Sequence, residues 1–222
     1  MPVITTRGAL SAGGFGFATQ AAFTGTISFF GSNTSTTTTI TYPASTQPGD
    51  LSVLLDSAVG FGGIPSSVYP TGYTAIGVSA SGTDGGGAFG VRYNASYRVL
   101  TGGDGTPTGM SGNGMAKVLL VFRKTSGTWG APSDIAAQVN LVTPPGNQTV
   151  NVGSAPLIVL GFGDAGSGGS AADALTMNPA GTYVATTGSR GGYIVYNASP
   201  ANNTVSTTSG FALGSFYIPL GP

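Results

Sequence analysis

The sequence predicts an all-β protein: an antiparallel β-sandwich assembled from two similar halves and preceded by an extended N-terminal arm. Three observations lead there. The first is the alphabet. The chain has 222 residues and no Glu, its only lysines are Lys117 and Lys124, and it holds 29 Thr. Glu and Lys normally fill exposed helical positions, whereas Thr and Val suit a pleated surface, so a mostly helical protein is hard to write with these residues. The second is a two-residue period over 88–100, where Val91, Tyr93, Ala95, Tyr97 and Val99 alternate with Arg92, Asn94, Ser96 and Arg98. The third is an ordered return of short motifs about one hundred residues on.

Residues 1–23 form the predicted arm. They are rich in Gly and Ala and have no sustained period, with Leu10, Phe15 and Phe17 as candidate assembly contacts on a neighbouring subunit. Strands are expected over 24–30, 36–42, 51–59, 74–79, 88–100 and 116–122, the first two bounded by Gly31-Ser32-Asn33 and Pro43. The alternation in 88–100 predicts one buried face and one facing solvent or a partner. The nearly continuous apolar run 116–122 predicts an interior strand. Further strands are expected over 135–142, 148–152, 157–162, 181–187, 192–197 and 211–218, and one helical turn over 171–175.

Leu51-Ser52-Val53-Leu54 is echoed by Leu157-Ile158-Val159-Leu160, and Pro70-Thr71-Gly72-Tyr73 by Pro179-Ala180-Gly181-Thr182-Tyr183. Tyr93-Asn94-Ala95-Ser96 returns unchanged as Tyr196-Asn197-Ala198-Ser199, and Lys117–Phe122 corresponds to Gly214–Pro219. The chain therefore divides into the arm and a duplicated sandwich over 24–222, with halves at about 24–124 and 133–222. A single sheet cannot bury its own apolar face, so the halves are expected to pack together. Two independent domains are the alternative. The segment 125–132, with the only Trp, Trp129, is the expected crossover.

The residues exclude much chemistry. With no His and no Cys there is no Ser–His–Asp triad, no cysteine nucleophile and no ordinary zinc site. Paired-carboxylate catalysis would need two aspartates from distant segments. Asp50, Asp84, Asp104, Asp134 and Asp164 lie in turn-like sequence, where a carboxylate usually accepts from nearby amides. Asp56 follows a buried-looking run and is expected to make structural hydrogen bonds at a strand end. No catalytic, cofactor or metal residue is assigned, and the chain is not expected to be an enzyme. Seven acids balance seven bases, which offers no electrostatic footprint for nucleic acid, and no apolar run reaches bilayer length. Tyr69, Tyr73 and Trp129 are the candidate ligand-facing aromatics, of the kind on which sugars stack; core or loop-closing roles are the alternative.

Four short motifs carry a resemblance: Gln47-Pro48-Gly49-Asp50-Leu51, Pro70-Thr71-Gly72-Tyr73-Thr74, Tyr97-Arg98-Val99-Leu100 and Leu119-Leu120-Val121-Phe122-Arg123. In this order they resemble the β-sandwich module of bacteriophage tail-fibre and other virion structural proteins. Its members tend to have Trp where Tyr73 stands. The opening Thr6-Arg7-Gly8-Ala9-Leu10-Ser11-Ala12-Gly13-Gly14-Phe15 also resembles the N-terminal peptide of many phage structural proteins. The resemblance spans about 36–220. It implies a jelly-roll-like module on the surface of a phage particle, tail-associated, homo-oligomeric and in contact with other virion proteins, with a host-surface glycan as a candidate partner. A capsid decoration protein held by its arm and a free carbohydrate-binding module are the alternatives.

Overall fold

The computed structural model describes residues 27–76, 80–83, 89–127 and 129, and strands at 138–140, 146–150, 157–164, 175–178, 190–197, 203–207 and 212–219. The arm, with Leu10, Phe15 and Phe17, and the strand expected over 181–187 lie outside the described residues. So do Asp84 and Asp134. Among the described residues every element is a β-strand and every pairing is antiparallel.

The first sheet contains β1 (Ile27–Ser35), β2 (Leu51–Phe61), β3 (Thr74–Ala75), β4 (Ala80–Thr83), β5 (Phe89–Val99) and β6 (Gly114–Lys124). Its order is β1-β6-β2-β5-β3, with β4 also paired to β5. Strand β2 is central, and its first nine residues are all buried. Strand β6 is likewise buried from Ala116 to Phe122, as its sequence predicts. Further along the chain are β7 (Gln138–Asn140), β8 (Gly146–Val150), β9 (Leu157–Asp164), β10 (Leu175–Asn178), β11 (Arg190–Asn197), β12 (Asn203–Thr207) and β13 (Ala212–Pro219). They pair as a four-stranded sheet, β11-β9-β13-β7, and a three-stranded sheet, β10-β12-β8.

Several expectations are corrected. The expected turn at Gly31-Ser32-Asn33 is strand: β1 runs through it, and a bulge between Phe29 and Gly31 absorbs one residue. The Thr-rich run 36–42 is not a strand. Its β-pairing is limited to one bridge, Thr39 to Thr108, because Ser35 and Thr37 hydroxyls bind the Thr39 carbonyl and offer the backbone a local alternative to a ladder. Leu175, expected to close a helical turn, begins β10. Asp164 ends β9 opposite Arg190 and Ala212 instead of lying in a turn.

The largest correction concerns the polar face of β5. In the register of the sheet, Arg92, Asn94, Ser96 and Arg98 share a face with Ser52, Leu54, Asp56 and Ala58 of β2 and with Lys117, Leu119 and Val121 of β6. That face is covered by the chain's own loops. Asn94 is 1% exposed and Ser96 2%. Ile40 packs there with Leu54, Leu119 and Val121, and Phe30, Tyr42 and Tyr73 close the cluster. The opposite face carries Val53, Leu55, Val91, Tyr93, Val118 and Leu120, all buried. Both faces are thus taken out of water, and the alternation marks a polar interior as opposed to a wet surface.

Candidate functional site: a cleft between two loops over the polar face

Two turns organise the loops. In each the fourth amide donates to the first carbonyl: Asp50 to Gln47 at 3.1 Å and Tyr73 to Pro70 at 3.0 Å. In each the third residue is a glycine with positive φ, Gly49 at 90° and Gly72 at 81°. That is the pattern of a type II turn, in which any side chain at the third position would be strained.

Each turn is then tied to a distant arginine. The Asp50 carboxylate accepts from Arg123 Nε and a terminal guanidinium nitrogen, both at 2.7 Å, and from the Gln47 amide at 2.8 Å. Arg123 also donates to the Ser45 carbonyl at 3.2 Å and lies 4.0 Å over the Phe30 ring, the residue displaced by the bulge. In the second turn, Arg98 donates to the Thr71 carbonyl at 3.3 Å, and its guanidinium occupies the space a Gly72 side chain would need. The four motifs of the sequence therefore meet in pairs. The first binds the fourth through Asp50 and Arg123, and the second binds the third through Thr71, Gly72 and Arg98.

Deeper on the same face lies a buried ion pair that sequence reasoning did not find. Lys117 Nζ donates to Asp56 Oδ1 at 2.5 Å and to the Met110 carbonyl at 2.9 Å, while the Met110 amide donates to Asp56 Oδ2 at 2.6 Å. The side chains are 0% and 2% exposed. Asp56 stands in the middle of β2, not at a strand end as expected, directly opposite Lys117. Burial pushes its carboxyl above the ordinary carboxylate range, against the pull of Lys117 and the Met110 amide. Gly109 must be glycine here, since a Cβ would fall on the Asp56 carboxylate.

The loop 61–71 runs along β5 as an extra polar layer. Arg92 Nε donates to the Pro65 carbonyl at 2.6 Å, and the Asn94 amide group donates to the Val68 carbonyl and the Ser67 hydroxyl, both at 3.1 Å. Opposite it, segment 105–110 is fastened from the other side. Ile40 donates to the Pro107 carbonyl at 3.1 Å and Gly109 to the Thr38 carbonyl at 2.9 Å. Between these two segments opens a cleft of about 410 Å³, formed by residues 68–71 and 105–108 with Arg98 at its base. Such a volume falls within the roughly 300–1,000 Å³ of small-ligand sites. Arg98 is held by Asp104 at 2.6 Å, and Asp104 lines a smaller neighbouring cavity of about 100 Å³ with Tyr42 and Gln47. Burial alone would raise the Asp104 carboxyl. The amides of Gly102 and Thr101, the Thr101 hydroxyl and the Arg98 charge outweigh it and hold the group below the ordinary range.

The three candidate aromatics separate. Tyr69 lines the cleft. Tyr73 is turned inward: its hydroxyl is 2.7 Å from that of Ser52 and 3.2 Å from that of Tyr42, and burial raises its phenol far above the usual value. Trp129 closes a loop, its indole N–H donating to the Gly49 carbonyl at 2.8 Å while the Lys124 ammonium sits 4.4 Å over its ring. Among the described residues no group of three or more carboxylates is placed to hold a metal ion. Compared with protein families, with curated proteins and with solved structures, the chain finds no match.

Proposed function

We propose that the chain is a non-catalytic structural protein of a phage virion, surface-exposed and tail-associated, built as one duplicated jelly-roll-like sandwich with an N-terminal arm for assembly. The observation that carries the non-catalytic part is the use made of the charged groups. Asp50, Asp56 and Asp104 are each consumed by a base, Arg123, Lys117 and Arg98 respectively, and each pair fastens a loop or strand of the fold. Acid–base work needs a group presented to a substrate; these are presented to one another.

The duplication draws support from topology. Strand β2 sits between β5 and β6, and β1 lies beyond β6; likewise β9 sits between β11 and β13, and β7 lies beyond β13. Leu51 pairs with Phe122, and the echoed Leu157 pairs with Pro219, the echo of Phe122. The repeated Tyr-Asn-Ala-Ser does not keep register, since Tyr93 faces Ser57 whereas Tyr196 faces Ile158. The approach of β11 to β6 and of β13 to β5 favours one sandwich over two domains. The phage assignment rests on the four motifs, and their pairwise closure gives a physical reason why they would travel together: each supplies the partner that another needs.

The test is immunogold labelling of purified particles from lysates in which the chain is produced. Label on the tail is the expected result. Label on the head would transfer the assignment to a decoration protein, and unlabelled particles would overturn the virion reading.

A further inference from the structure

Resting on the reading of the chain as a binding and structural module, we propose that the cleft between 68–71 and 105–108 binds a neutral saccharide. The walls are pre-formed. One is held by Asn94 on the Val68 carbonyl, by the turn at Gly72 and by Arg98 on Thr71. The other is held by Ile40 on Pro107 and by the bridge from Thr108 to Thr39. Pro70 and Pro107, themselves part of the lining, are buried. Little ordering remains to oppose binding, which is where a small ligand otherwise loses most affinity.

The lining then selects the chemistry. Tyr69 contributes an aromatic ring, apolar in its body and polar at its tip, which suits the C–H face and hydroxyl edge of a pyranose. Thr71, Thr106 and Thr108 are exposed hydroxyls able both to donate and to accept, as sugar hydroxyls require. The single charged residue of the lining is Arg98, and its charge is met by Asp104 at 2.6 Å. An anionic ligand would have to compete with that carboxylate. A neutral polyol needs only the donors that Arg98 does not spend on Thr71 and Asp104. The ligand class that fits ring, hydroxyls and neutralised guanidinium together is an uncharged sugar.

The experiment titrates the full chain with a panel of neutral and sialylated oligosaccharides, alongside Tyr69→Ala and Thr106→Val, with thermal unfolding recorded for each variant. Thr106 is exposed, so its variant keeps the fold even if Tyr69→Ala does not. Saturable binding of a neutral sugar, weakened about tenfold by Tyr69→Ala and several-fold by Thr106→Val without a loss of folding, is the expected result. The proposal is overturned by no neutral sugar bound, by binding confined to sialylated sugars, or by affinity unchanged in both variants. Particle labelling is independent of this. Labelled particles with no sugar bound would remove the saccharide site alone, and sugar binding with unlabelled particles would remove the virion reading alone.

Discussion

Lys117 and Asp56 contribute to stability in a way that depends on both being present. Removing one partner of a buried pair leaves an unpaired charge in the interior, which costs about 3–5 kcal/mol, whereas an apolar pair of similar volume is often neutral or better. Lys117→Met and Asp56→Leu should each destabilise the protein by an amount of that order in chemical denaturation. The double variant should recover only part of the loss, because the buried Met110 amide and carbonyl lose their partners with the pair. Lys117 lies inside an apolar run, and nothing in Ala116-Lys117-Val118-Leu119 discloses a partner 61 residues earlier. Asp50 and Asp104, by contrast, were legible, because an aspartate beside Gly and Pro accepts from amides of its own turn.

Asp104 also predicts a pH dependence. Its folded-state affinity for a proton is lowered, so its contribution to stability is fully present above the unfolded value of about 3.9 and is lost as pH falls through the lower folded value. Asp56, shifted upward, acts in the opposite sense, and the whole-protein acid curve therefore mixes the two. The difference in stability between the native chain and Asp104→Asn isolates the first. It should be constant near neutral pH and shrink below about pH 4.

At the scale of elements, the turn 45–50 is clamped by Arg123 from one side and by Trp129 from another. The Arg123 contact is bidentate, a geometry that an ammonium cannot reproduce. Arg123→Lys should therefore lower the melting temperature nearly as much as Arg123→Ala, measured by circular dichroism. The crossing of loop 61–65 over the sheet depends on two facing glycines. Gly60 pairs with Gly90, and a Cβ on either would collide with the Gly63 backbone. Gly90→Ala should cost about 1–3 kcal/mol by overpacking, with the proteolytic rate in loop 61–71 rising as the loop lifts away. The strands β2, β5 and β6 were legible to within two residues because period and apolar run survive in any context. The Thr-rich run 36–42 was not, since β-branched residues favour strands only where a partner edge is free.

For the whole molecule, the central expectation is that loops and sheets form one cooperative unit in the first half, since ties such as Asp50–Arg123 and Asn33 to Thr41 bind loops directly to strands. Deleting residues 1–23 should abolish particle attachment while leaving a folded sandwich, read out by particle co-sedimentation and by circular dichroism. Attachment that survives the deletion would refute the role of the arm.

By itself the sequence determined the strand class, the positions of the central strands, the turn at Asp50 and the absence of residue types on which common catalytic sites depend. These are properties of single residues and short periods, written locally. Only the tertiary structure decided that the polar face of β5 is covered as well as the apolar one. It set Asp56 on Lys117, gave Tyr73 and Trp129 to the interior and to a turn, and left Tyr69 on a cleft. The reason is register: a side chain's partner is chosen by which residue of another strand lies opposite, and that pairing is settled by the sheet as a whole.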